Sequence, residues 1–221
     1  MIRTSILFSA LDDEAAADLR RCMAEGRLRR GQVLFRQGEV GDRLYVIADG
    51  KVKLGRVASD GRESLLSLLG PGDMFGELSL FDPGPRTATA AAVTDAQVCA
   101  LERRALEPLL GQRPDLALCL LGRLSRRVRR SAEAQTDLVF HDTPGRVAKT
   151  LLDLSARFGT PCDVGLHLRH DLTQEELAQL VGASRETVNK VLADFSDRGW
   201  IRTAARAVVL VDIERLHQRA R

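Results

Sequence analysis

The sequence predicts an α+β chain in three successive parts: an N-terminal β-roll, one long helix and a C-terminal winged helix-turn-helix. Three observations predict it. Short β-like runs such as VLFRQG, RLYVIADG and KVKLGRV are punctuated by closely spaced glycines between Gly31 and Gly84, the pattern of an antiparallel roll or barrel. From Pro114 to Phe140 the residues can be threaded on a three-four alternation that suits one long helix. Residues 173–192, TQEELAQLVGASRETVNKVL, hold two cappable helices joined through a glycine.

The first part opens with a helical stretch around Leu11 to Met23 and runs as a sensor-sized roll over residues 1–112. Residues 113–141 form the second part. Proline suits a first helical turn, so Pro114 marks the helix start. Its seam reads Ala117, Leu121, Leu124, Val128, Ser131, Gln135 and Leu138, an apolar stripe with two polar interruptions that suits pairing with a second copy of the chain. The alternative is a helix packed inside its own chain, with Arg123, Arg126, Arg127, Arg129 and Arg130 solvated. The third part covers residues 142–221. Asp142-Thr143-Pro144 supplies a cap and a first-turn proline for a helix that runs to Gly159. A short strand near Leu166 to Arg169 follows, and WIRTAARAVVLVD after Gly199 reads as a β-hairpin wing.

Within the helix-turn-helix, Thr173 and Glu176 stand at the spacing of a capping box. Leu177, Leu180 and Val181 make the apolar stripe, and the small Ala178 lets a second helix cross closely. Gly182 ends the helix, because only glycine adopts the left-handed backbone cheaply. Ser184 caps the next helix, which buries Val188, Val191 and Leu192 and turns Arg185, Glu186, Asn189 and Lys190 outward. Arginine can grip guanine, glutamate accepts from cytosine, and asparagine pairs with adenine, so this face suits base edges in a major groove. Thr173, Ser184, Arg185, Glu186, Asn189 and Lys190 are therefore the candidate contacts to double-stranded DNA. Two half-sites related by a two-fold axis call for a homodimer.

Composition excludes several classes. Hydrophobic residues make up 44% and charged residues 29% of the 221, the balance of a soluble globular protein. No apolar run is long enough to span a bilayer, and MIRTSILFSALDDE lacks a signal-peptide pattern, so a cytoplasmic protein with no membrane partner is expected. A formal charge of +3 argues neither for nor against nucleic acid. Cys22, Cys99, Cys119 and Cys162 are too scattered for a zinc or iron-sulfur site and read as buried free thiols. Every histidine, His141, His167, His170 and His217, follows the roll, which leaves no axial haem ligand there. No nucleophile, base and orienting residue converge, so no enzyme is expected.

One segment of the roll, GDMFGELSLFDPGPRTATA, reads as an anion cradle. Gly76 lets backbone amides approach a ligand, Arg86 supplies a bidentate charge for a phosphate, and Thr87 adds a hydroxyl donor. Glu77 repels a phosphate, so its partner is a different group, such as a sugar hydroxyl.

The order of β-roll, Gly-Glu-Leu-Ser-Leu-Phe with Arg-Thr, long helix and SRETVNKVL resembles the family of the cyclic-AMP receptor protein and the fumarate and nitrate regulator. The tracts FGELSLFDPGPRTA, DTPGRVAKTLLDLSARFGT and DLTQEELAQLVGASRETVNK are most similar to its actinobacterial branch. The resemblance spans nearly the whole chain. It implies a transcription regulator with cyclic AMP as allosteric ligand, its phosphate on Arg86 and Thr87 and its ribose on Gly76 and Glu77, with Leu78 and Arg127 beside them. It implies that the adenine meets the long helix at Ser131 and Ala132, where Ala132 lacks the polar group the family places there. It also implies a TGTGA-like half-site, RNA polymerase as a partner, and no metal, haem or iron-sulfur cluster. Lys190 stands where the family has a second arginine, which keeps the charge without the planar fork. Three other readings stand beside this one: a member that binds DNA constitutively or answers another nucleotide, a redox sensor working through its cysteines, and a cyclic-nucleotide-binding regulatory subunit.

Overall fold

The computed structural model describes residues 13–221. In chain order the elements are α1 (Asp13–Arg21), β1 (Ala24–Leu28), β2 (Val33–Phe35), β3 (Arg43–Asp49), β4 (Val52–Val57), β5 (Glu63–Leu69), β6 (Met74–Phe75) and α2 (Leu78–Phe81). Then come β7 (Thr89–Ala92), β8 (Ala96–Glu102), α3 (Arg103–Gln112), α4 (Pro114–Phe140) and α5 (Thr143–Phe158). The chain finishes with β9 (Gly159–Cys162), β10 (Gly165–Arg169), α6 (Gln174–Val181), α7 (Arg185–Asp197), β11 (Ile201–Ala204), β12 (Ala207–Leu210) and α8 (Ile213–Arg219). Leu11, where the first helix was expected to begin, lies outside the described residues. Two compact units emerge: an N-terminal one up to Arg129, apart from residues 63–66, and a C-terminal one from Arg130 onward with that short stretch.

The N-terminal unit is built on two four-stranded sheets, ordered β1-β8-β3-β6 and β2-β7-β4-β5. Strand β3 shows why its sequence is almost continuously apolar. Ile47 joins a core cluster with Phe35, Val52, Leu54, Phe75, Ala90 and Val98, while Leu44 and Val46 join another with Leu19, Leu101, Leu106, Leu116 and Leu120. Successive strand residues point to opposite faces, and here both faces are covered. The second cluster brings in α1, α3 and the first turns of α4. Leu116 and Leu120, at 2% and 3% exposure, thus belong to the core of the N-terminal unit, and Leu121, Val128 and Leu138 stay 57%, 69% and 57% exposed.

In the C-terminal unit the sheet order is β11-β12-β10-β9, all antiparallel. Two of its elements were not expected from sequence. Strand β9 contains a proline and no alternation, and exists through its pairing with β10. Helix α8 has only seven residues and is anchored by Leu216, which is fully buried. Trp200 follows α7 and packs at a tilt against Phe195, ring centroids 5.2 Å apart, with its carbonyl accepting from the Val211 and Asp212 amides.

The cysteines correct one expectation. Cys99 is buried and Cys119 half-buried, but Cys22 and Cys162 are exposed. Both exposed thiols sit in or beside edge strands, which have a neighbouring strand on one side only.

Candidate nucleotide pocket and DNA interface

A cleft in the N-terminal unit is lined by Phe35, Leu54, Gly76, Leu78, Ser79, Arg86, Thr87, Ala88 and Arg127. The candidate cradle residues thus converge, although Arg127 lies fifty positions from Glu77 in sequence. Strand β6 delivers Gly76 and Glu77 to the start of α2, and the segment leading into β7 delivers Arg86 and Thr87. Gly76 has φ +78, and a Cβ there would meet Arg86 Nη1 at 2.7 Å, so glycine is required both by backbone and by contact. On the other side, a Cβ on Gly41 would meet Arg86 Nε at 2.5 Å.

Arg86 is only 5% exposed. Its Nη1 donates to the Gly76 carbonyl at 2.7 Å, and its guanidinium carbon lies 4.2 Å from the Phe35 ring centroid and 5.7 Å from that of Tyr45. Burial pulls its pKa below the ordinary arginine value, opposed by Tyr45 and by the carboxylates of Asp42, Glu77 and Glu39. The side chain still carries its charge, since arginine does not deprotonate in proteins. Its Nε is buried and makes no hydrogen bond.

Glu77 is 1% exposed. A carboxylate so deep needs a cation. Arg127 of α4 supplies it, donating from Nη1 to Glu77 Oε1, while Glu77 Oε2 is buried without a partner. Arg123 of the same helix donates to the Gly72 carbonyl at 3.3 Å. Two of the helix arginines therefore bind the roll. Thr87 and Leu78 are exposed at the rim of the cleft. Ser131 and Ala132 are exposed on α4 and belong to the other compact unit.

Phe35, Ser79 and Ala88 line the cleft but were not singled out from sequence. Phe35 was legible only as a core residue. Its place over Arg86 comes from the β2–β7 pairing, which sets Phe35 opposite Ala90.

The helix-turn-helix forms through the expected caps. Thr173 Oγ1 accepts from the Glu176 amide at 3.2 Å, and Glu176 Oε2 accepts from the Thr173 amide at 2.7 Å. Gly182 takes φ +72, with its amide bonded to the Gln179 carbonyl and the Ala183 amide to that of Ala178. Ser184 Oγ accepts from the Thr187 amide at 3.2 Å. Thr173, Ser184, Arg185, Glu186 and Lys190 are exposed. Asn189 is the correction: it is half-buried, and its Oδ1 is buried without a hydrogen bond. One helical step from the fully buried Val188, it sits at the border of the outer face rather than on it.

Family models for the "Cyclic nucleotide-binding domain" and the "Crp-like helix-turn-helix domain" match residues 25–113 and 145–219. The chain is 53% identical over 215 residues to the "CRP-like cAMP-activated global transcriptional regulator" of Mycobacterium tuberculosis, covering 97% of this chain and 96% of the relative. The chain belongs to the cyclic-AMP receptor protein family. Within this family of transcription regulators, which are not enzymes, it falls in the actinobacterial branch. It is also 39% identical over 203 residues to the "Cyclic AMP receptor protein" of Thermus thermophilus, with 91% of this chain and 90% of that one covered. Among solved structures, the "Thermus thermophilus Catabolite Activator Protein" matches with a TM-score of 0.57 and 35% identity over 98% of both chains. The c-di-GMP responsive regulator CLP of Xanthomonas campestris matches with a TM-score of 0.79 and 27% identity, over 90% of this chain and 99% of that one. This family member therefore carries a cyclic-nucleotide-binding unit and a DNA-binding helix-turn-helix unit. No helix among the described residues is long and apolar enough to cross a membrane.

Proposed function

We propose that this regulator is a homodimer that binds cyclic AMP in the β-roll and reads TGTGA-like half-sites with α7. One observation carries the ligand assignment: around the cleft lined by Gly76, Arg86 and Arg127, a buried donor, Arg86 Nε, and a buried acceptor, Glu77 Oε2, make no hydrogen bond within the protein. Such atoms cost about 1 to 3 kcal/mol each when left unmatched. A ligand that presents an anion to the first and a hydroxyl to the second offsets both costs. A cyclic nucleotide does so with its phosphate and ribose. Gly76, Leu78 and Thr87 complete the contact set at the rim, and two relatives bear names that tie them to cyclic AMP.

Arg127 gives the site its outlet. Its bond ties Glu77, the neighbour of the cleft residues Gly76 and Leu78, to α4, so a ribose hydroxyl that engages Glu77 acts on the helix that carries the proposed dimer seam. Ligand-linked DNA affinity then follows as a coupling between two sites, of about 1 to 3 kcal/mol. The base is read by Ser131 and Ala132, and the alanine offers no side-chain hydrogen bond. Coupling by cyclic AMP accordingly falls at the low end of that range. Arg185, Glu186 and Lys190 make the major-groove contacts, with Asn189 at their edge, Thr173 and Ser184 touch the backbone, and RNA polymerase is the downstream partner.

Heat-stability shifts against a panel of cyclic mononucleotides and dinucleotides test the ligand, because selective binding to the folded state raises the melting temperature. Cyclic AMP is expected to give the largest shift. A larger shift from another nucleotide reassigns the ligand, and no shift from any of them removes the pocket's role.

A further inference from the structure

A second cleft, of about 220 Å³, opens in the N-terminal unit where α1 ends and β1 begins. Cys22 stands at its edge, and Ala24, Ala100 and Ala105 leave it room because their side chains end at Cβ. The sheet register explains which side chains share it. Ala24 pairs with Ala100 and Arg43 pairs with Glu102, and directly opposed residues of antiparallel strands lie on one face. Glu25, one position along β1, is turned to the other face with Cys99.

Among the described residues lining the cleft, two are cations and one is an anion. Arg43 Nη2 meets Glu102 Oε1 at 2.9 Å across the strands, and Arg104 Nε, from the first turn of α3, meets Glu102 Oε2 at 2.5 Å. One carboxylate shared by two guanidiniums leaves a net positive charge. Arg43 Nε is buried without a hydrogen bond, with Asp42 Oδ1 3.6 Å away. The Arg104 side chain is 86% exposed, so its fork can turn to an incoming carboxylate. The remaining cysteines are set differently. Cys99 is buried, and burial pushes its thiol up; Cys119 is half-buried; Cys162 is exposed but adjoins Asp163.

We propose that Cys22 is a modification site for small acidic disulfides, whose carboxylates dock on Arg43 and Arg104 while the thiol attacks. The step is thiol–disulfide exchange. The Cys22 thiolate bonds to one sulfur of the disulfide, the S–S bond breaks, and the departing half leaves as a thiolate that takes up the proton Cys22 gave up. The incoming disulfide is the oxidant: its departing sulfur is reduced to a thiol, and the Cys22 sulfur ends oxidised in the mixed disulfide. Docking holds the target sulfur at the thiol, which an exposed cysteine without the two arginines does not achieve.

The test treats the full-length protein at one pH with glutathione disulfide, which is anionic, and with cystamine, which is cationic. Peptide mass spectrometry reads the rate at each cysteine. The preference for glutathione disulfide over cystamine is expected to be several-fold greater at Cys22 than at Cys162, and to shrink as salt rises. Arg104→Ala should lower the glutathione disulfide rate at Cys22 several-fold, while its melting temperature and its rate at Cys162 stay at the parent's values. Arg104→Lys should keep most of the preference. Arg20 and Arg21 adjoin Cys22 in sequence and attract anions with or without the cleft, so the rates are also read in urea, where most of the preference should be lost. Equal preferences at the two thiols, or an unchanged rate in Arg104→Ala, overturn the site. A preference that survives in full in urea overturns it too, because the chain neighbours then suffice.

Discussion

The guanidinium of Arg86 stacks on the Phe35 ring at 4.2 Å while its Nη1 is held by the Gly76 carbonyl. The charge is thus oriented before any ligand arrives. Arg86→Leu should remove a charge-assisted contact of about 1.5 to 3 kcal/mol, lowering cyclic AMP affinity roughly tenfold or more. Phe35→Leu should cost less, about 0.5 to 2 kcal/mol, since it removes the stacking and leaves the charge. Calorimetric titration of both proteins checks the order. Equal affinity in Arg86→Leu and the parent would remove Arg86 from the site.

The proposed dimer seam can be tested without disturbing the fold of the single chain. Val128 is 69% exposed, whereas Leu116 and Leu120 are buried in their own unit. Val128→Asp should leave the melting temperature of the N-terminal unit near that of the parent, yet bury an unpaired charge twice over in a dimer. Light scattering should report a monomer, and a stable dimer would place the interface elsewhere.

At the junction of α4 and α5, Asp142 is held below the usual carboxylate range, first by the Arg219 side chain and then by the Gly145 amide it caps. A carboxylate whose folded pKa is depressed contributes stability above its unfolded pKa of about 3.9, and loses it as pH falls through the lower folded value. Arg219→Ala should therefore lower the melting temperature modestly at neutral pH. The difference from the parent should vanish in acid. Melts at pH 7 and below pH 3 check the sign.

Gly182 and Gly199 offer a matched pair. Both have positive φ, at +72 and +73, but a Cβ on Gly182 would lie 3.1 Å from Leu138 Cδ2, and one on Gly199 would meet nothing within 4 Å. Gly199→Ala should cost about 1 to 2 kcal/mol for the left-handed backbone alone. Gly182→Ala should cost at least that and more if Leu138 cannot yield, as read by chemical denaturation.

The legible parts of this chain are those encoded locally. Pro114 opens α4, and Thr173, Glu176, Gly182 and Ser184 delimit α6 and α7, because caps and breakers act within a few residues of themselves. Strand β9 and helix α8 were illegible for the opposite reason: one depends on pairing with β10 and the other on burying Leu216. The same division runs through the pocket. Gly76, Glu77, Arg86 and Thr87 were visible as a motif, and the puzzle of Glu77 was visible with them. The motif alone did not hold its solution: Arg127 is fifty residues away and entered only through the family resemblance, and the packing of α4 on the roll is what brings it to the carboxylate. Asn189 shows the limit of helical periodicity, which assigns a face but not how far the neighbouring packing reaches around it.

The aromatic residues divide the molecule optically. Its single tyrosine, Tyr45, stacks 5.4 Å from Phe75 beside Arg86, and its single tryptophan, Trp200, lies between α7 and the wing with Arg198 over its ring. Each unit therefore carries one native fluorophore of a different kind. Tyrosine emission follows the proposed nucleotide pocket and tryptophan emission follows the helix-turn-helix unit, so the order in which the two respond to ligand can be timed on the unlabelled protein.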